Sequence, residues 1–134
     1  MKKLNFVILI LISFTCLYCG KSKTDYWELI ATSQEGHKFF YDPRTIIQTP
    51  DSTIVLEKTE YSVPQKIGDK FSKLLVEKNV YYCKTKQMKK ILAIVYFEDE
   101  TKQDIVYPEE IKPVESGGMQ ETIFNFICNM KEKK

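Results

Sequence analysis

One histidine, one tryptophan and five glycines among 134 residues leave little material for the commoner catalytic sites. The single His37 cannot build a two-histidine metal site, and its place between Gly36 and Lys38, at the start of a β-favouring run, suits an exposed turn residue. No glycine-rich phosphate loop exists, and Gly117-Gly118 ahead of a helical segment reads as a chain break or cap. Carboxylates come in adjacent runs, Glu98-Asp99-Glu100 and Glu109-Glu110, which lack the two opposed environments that acid and base roles need. The sequence therefore offers no catalytic, metal or cofactor site, and a non-enzymatic protein is expected.

Long apolar runs are also scarce. Leu4 to Ile12 stands alone, shorter than the roughly 20 residues of a membrane span, and follows the positive start Met1-Lys2-Lys3. Residues 1–19 thus read as an export leader to be set aside before any fold argument, and 20–25 as a polar tether. A cysteine closing such a leader is where bacterial lipoproteins are cut and acylated. Leu17-Tyr18-Cys19-Gly20-Lys21-Ser22 makes Cys19 the favoured lipid site, with Cys16 as the alternative and plain cleavage near Thr15, without lipid, as a third reading. Acyl chains would hold the domain on a membrane surface, most simply the outer membrane of a bacterial envelope, at about 0.8 kcal/mol per buried methylene.

An excess of one charge is missing too. The formal net charge is +2, and Lys2 and Lys3 account for it. The exported part is balanced, which removes the main argument for nucleic acid as a partner, and export weakens it further. What remains is local: Lys84, Lys86, Lys89 and Lys90 cluster where the chain bends, either as a solvated tip or as a surface for an acidic protein partner.

What is present points to one α+β domain over 26–134, mostly antiparallel sheet. Val80 to Phe97 is β-branched and aromatic at both ends and broken by Lys84-Thr85-Lys86-Gln87, the pattern of a hairpin. Tyr26 to Thr32 and His37 to Tyr41 read as an earlier hairpin ending at Asp42-Pro43, followed by the short apolar step Thr45 to Gln48. Thr53 to Ser62 reads as a third strand closed by Pro64, and Gln103 to Tyr107 as a short edge strand ended by Pro108. Ile67, Phe71, Leu74 and Leu75 have helical spacing, yet a strand from about Phe71 also fits. From Met119 to Met130 the apolar residues Met119, Ile123 and Ile127 form one stripe with Phe124 and Cys128 beside it. That is a C-terminal helix for the sheet to carry, with Ser116 placed to cap it and Lys131 to Lys134 to complement its negative end. Two cysteines remain after the leader, Cys83 and Cys128, and in an exported domain of about 115 residues one disulfide is the default.

The order of these pieces resembles a known family. Tyr26-Trp27-Glu28-Leu29-Ile30-Ala31, Phe40-Tyr41-Asp42-Pro43-Arg44-Thr45-Ile46, Val55-Leu56-Glu57-Lys58, Tyr82-Cys83-Lys84, Ile111-Lys112-Pro113-Val114 and the terminal Cys128 are together similar to the surface-adhesin E-like family of small bacterial lipoproteins. The resemblance implies a lipid-anchored envelope domain with a helix packed on an antiparallel sheet and a Cys83–Cys128 bridge. It favours the strand reading before Val80. It also implies adhesion to host extracellular-matrix or plasma proteins, as a homodimer in the family's namesake. The other function readings are an accessory lipoprotein that meets only envelope proteins and a small-ligand sensor with a pocket between sheet and helix.

Overall fold

Alternating side chains and turn-forming breaks divide the chain into short and long strands in strict succession. The computed structural model describes residues 26–130, so the leader, the tether, Cys16, Cys19 and the terminal lysines lie outside the described residues. The strands are β1 (Glu28–Thr32), β2 (Lys38–Tyr41), β3 (Ile47–Gln48), β4 (Thr53–Ile67), β5 (Lys70–Tyr82), β6 (Gln87–Phe97), β7 (Lys102–Val106) and β8 (Lys112–Pro113). A 3₁₀ turn at Pro43–Thr45 precedes β3, and one helix, α1 (Met119–Asn129), closes the fold. All strand pairs are antiparallel in the order β1-β2-β4-β5-β6-β7, with β3 added beside β4 and β8 beside β6.

The segment before Val80 is strand. Helical spacing at Ile67, Phe71, Leu74 and Leu75 loses to a ladder in which Lys70 to Tyr81 pairs with β4 on one side and most of the same residues pair with β6 on the other. Isolated periodicity over so short a run weighs less than two flanking partners. Pro64 does not end β4 either. It falls in a bulge between Glu60 and Gln65, where the ladder to β5 is interrupted and no amide donor is required.

Only one face of this sheet carries the helix. Tyr41, Val55, Tyr81 and Met88 point to that side and pack with Ile123, Phe124 and Ile127 of α1 and with Val114 in one buried cluster. Tyr41 meets Phe126 and Tyr81 meets Phe124 edge to face, with centroids 5.3 and 5.9 Å apart. Such pairs add about 0.5–1.5 kcal/mol each to plain burial. The expected apolar stripe of the helix is thus the one used, but its cap differs from expectation. Gly118 is the N-cap and makes no side-chain bond; the Glu121 carboxylate accepts from Gly117 N instead, at 2.7 Å.

Cys83, just past β5, and Cys128, in the last turn of α1, are bonded, with Cα atoms 5.6 Å apart across a sequence separation of 45. The helix is therefore held to the central hairpin at its far end by a covalent link and along its length by the aromatic contacts.

Candidate binding surface

The face turned away from α1 is built by the alternate residues of the same strands. Pairing register sets Leu29, Phe40, Lys58, Val76, Ile94 and Asp104 directly opposite one another in a row that crosses the sheet from β1 to β7. A neighbouring row runs Leu56, Lys78, Leu92, Val106, and Ile47 stands opposite Ile54 at the corner. Among the described residues no helix lies over this side. Leu29 (53% exposed), Ile47 (55%) and Val106 (84%) leave large apolar side chains in solvent around its margin. An apolar surface of this breadth is unusual on a protein that meets nothing.

Its centre is ordered by one cation. Lys58 Nζ lies 4.4 Å from the Phe40 ring centroid and 5.3 Å from that of Trp27, and pairs with Glu60 at 2.7 Å. Trp27 is half-buried, with its ring against the outer face and not in the core beneath the helix. At the other end of β2, Asp42 caps the 3₁₀ turn by accepting from Arg44 N at 3.0 Å and pairs with the Arg44 guanidinium at 2.6 Å. The Arg44 guanidinium in turn lies 3.6 Å from the Tyr26 ring centroid. That hydrogen-bonded pairing holds the Asp42 carboxyl below its usual range.

The four lysines of the bend do not share one surface. Lys84 and Lys86 project from the turn, while Lys89 and Lys90 are successive strand residues, on opposite faces of β6. Each lies near a carboxylate: Lys84 Nζ is 3.2 Å from Asp51, Lys86 2.5 Å from Glu121, Lys89 3.7 Å from Glu109 and Lys90 2.8 Å from Glu77. Their field is therefore largely answered within the chain, and only Lys84 and Lys86 form a local basic tip.

Two other places were worth chemical scrutiny. His37 Nδ1 accepts from Ser62 N at 3.1 Å, fixing the bulged part of β4 to the turn before β2. An open groove of about 320 Å3 runs between Met88, Lys90, Tyr107, Lys112 and Gln120, but its two cations are engaged by Glu77 and Glu110. Among the described residues no three of His, Cys, Asp and Glu gather as a metal-binding group.

A single antiparallel sheet thus carries a disulfide-fastened helix on one side and, among the described residues, no second layer on the other. The family model for surface-adhesin protein E matches residues 27–129, and the chain belongs to that family. It is accordingly an adhesin-like surface protein of the bacterial envelope. Among solved structures, protein E from non-typeable Haemophilus influenzae is similar at 8% identity and a TM-score of 0.51, over 81% of this chain and 78% of that one. A second structure of Haemophilus influenzae protein E gives 9% identity and a TM-score of 0.48, over 80% and 86%. At these identities the likeness is one of fold. No curated protein matches the chain. Sequence reasoning pointed to the bend as a binding candidate but not to these rows of the sheet. The alternation from Ile54 to Lys58 and from Leu92 to Ile94 was the available signal, once register decides which parity faces the helix.

Proposed function

We propose that this protein is a lipid-anchored, non-enzymatic adhesin-like binder that docks a host extracellular-matrix or plasma protein, or a protein of its own envelope, on the outward sheet face. The observation that carries the reading is the cross-sheet row from Leu29 to Asp104, apolar with charges set singly within it and, among the described residues, without a second layer. Aromatic and apolar anchors amid paired charges are what protein interfaces concentrate at their centre. The tip formed by Lys84 and Lys86 adjoins this domain end and would steer an acidic partner, with Lys89 and Lys90 serving mainly to hold β6 and its surroundings in place. Anchoring through Cys19, or through Cys16, would leave the sheet free at the end of the tether. A homodimer would use the same outward face.

The test is binding of the purified exported chain to surfaces coated with plasma or matrix protein, compared with two variants. L29E/I47E/V106E alters three exposed positions of the outer face and is expected to weaken binding at least about tenfold with unchanged unfolding behaviour. Replacing Lys84, Lys86, Lys89 and Lys90 by Ser is expected to slow association and reduce its salt dependence. Undiminished binding by the first variant would remove the outer face from the account. The mass of the mature N-terminal peptide tests the lipid, and cleavage of the domain by protease added to intact cells tests outward display.

A further inference from the structure

On the helix-bearing face of the sheet, the one not assigned to binding, lies a carboxyl group that the adhesin reading does not use. Glu57 sits in mid-strand on β4, directly opposite Tyr41 of β2 and Glu77 of β5, and is 8% exposed. Asn79, diagonal to it on β5 and 2% exposed, donates from Nδ2 to Glu57 Oε2 at 3.1 Å. The remaining oxygens of the two groups, Glu57 Oε1 and Asn79 Oδ1, are both buried and make no hydrogen bond of normal geometry, although the Tyr81 hydroxyl lies close enough to act on the pair. Two orphan acceptors on a pair already joined by one bond are a costly arrangement, since each buried oxygen has given up its hydration without a replacement. A single proton on Oε1 resolves both: it turns that oxygen into a donor for the amide oxygen and completes the two-armed ring that carboxylic acids and primary amides form.

We propose that Glu57 is held as the neutral acid in mildly acidic solution, closing an acid–amide ring with Asn79, and that loss of this proton as pH rises is a built-in switch weakening the seat of α1 on the sheet. The surroundings agree. Burial is the largest influence on the carboxyl and pushes it up to about 7, against the opposing pull of Tyr81 and Asn79. The cation that acts on it, Lys90, is engaged with Glu77 at 2.8 Å, and Tyr107 Oη donates to the same Glu77 oxygen at 3.1 Å. Tyr41 Oη donates to Glu28 at 2.6 Å, so its proton is directed away from Glu57. The phenols around the site, Tyr41, Tyr61, Tyr81 and Tyr107, are all raised above 10 and stay protonated below that pH. The coupling to the helix runs through the neighbouring tyrosines, since Tyr41 meets Phe126 and Tyr81 meets Phe124 edge to face.

The sign of the effect follows from linkage. A carboxyl that binds its proton more tightly in the folded than in the unfolded chain gives stability that is full below the unfolded value of 4.5 and is lost as pH rises through about 7. The folding equilibrium should therefore fall on the order of 50-fold between pH 5 and pH 8 from this group alone. Glu57→Gln replaces the acid by an isosteric amide that keeps both arms of the ring at every pH. In the exported chain with its disulfide formed, urea unfolding at pH 5 and pH 8 should show the wild type losing stability over the interval and E57Q losing far less. Carbon-13 titration of glutamate side chains, with E57Q assigning the signal, should give a midpoint near 7. A midpoint at or below 4.5, or an E57Q protein less stable than wild type at pH 8, would overturn the proposal. Should E57Q fail to fold, the wild type decides alone, because the absence of any glutamate carboxyl titrating near 7 would overturn the proposal.

Discussion

Removing the Asp42 carboxylate strips a 3₁₀ turn of its cap and leaves the Arg44 guanidinium without its partner, at the point where β2 hands the chain to β3. Asp42→Ala should cost about 1–2 kcal/mol in urea unfolding, the usual range for losing a cap residue. The hydrogen-bonded pair with Arg44 holds the group below its ordinary 3.8. Its contribution is complete above that unfolded value and is lost as pH falls through the lower folded one. Wild type and D42A should accordingly converge in stability in strong acid; a gap that persists there would mean the turn depends on something other than the charge. Tyr41 gives the opposite sign at the other end of the scale. Burial first, and then Glu28, push its phenol up to about 12, so stability should decline as pH rises from 10 through that value. Tyr41→Phe should flatten part of that alkaline decline while losing about 1 kcal/mol at neutral pH with the bond to Glu28.

Among the elements, α1 depends on two fastenings of different kind. The Cys83–Cys128 link closes a loop with a sequence separation of 45, and C83S/C128S should lose up to about 4 kcal/mol in the chain-entropy account. Ile127 is fully buried, and Ile127→Ala should cost about 2–5 kcal/mol, a loss expected with the disulfide intact as well as without it. Denaturant midpoints of C83S/C128S, of Ile127→Ala and of the protein combining them check whether packing and link act separately. The helix was legible in the sequence because its stripe of Met119, Ile123 and Ile127 runs for three turns with a glycine break before it. Its cap was not, since Glu121 reaches back to a backbone amide that no spacing rule separates from an exposed acidic residue. The long ribbon of β4 and β5 was misjudged in length for a related reason: Pro64 and the spacing of Phe71 to Leu75 are local signals, whereas the bulge and the double pairing that override them are set by strands far along the chain.

At the scale of the whole molecule, a single sheet serves two purposes through its pleat. One parity of side chains holds the helix and the Glu57–Asn79 pair; the other is offered outward, framed by edge strands whose Lys102 and Asp104 discourage further strand addition at β7. The alternation itself could be read from the sequence, but the face that α1 covers could not, because that choice depends on which cysteine-bearing end it reaches. The same limit explains the lysine bend: adjacency along the chain suggested one patch, while strand geometry sends Lys89 and Lys90 to opposite sides. The decisive property is what the outward face does when the protein is bound. Radical footprinting of the exported chain, free and bound to a plasma- or matrix-coated surface, measures this side chain by side chain. Labelling of Leu29, Phe40, Ile47 and Val106 should fall on binding while Ile111 is unchanged; full labelling of the first four in the bound state, with protection elsewhere, would contradict it.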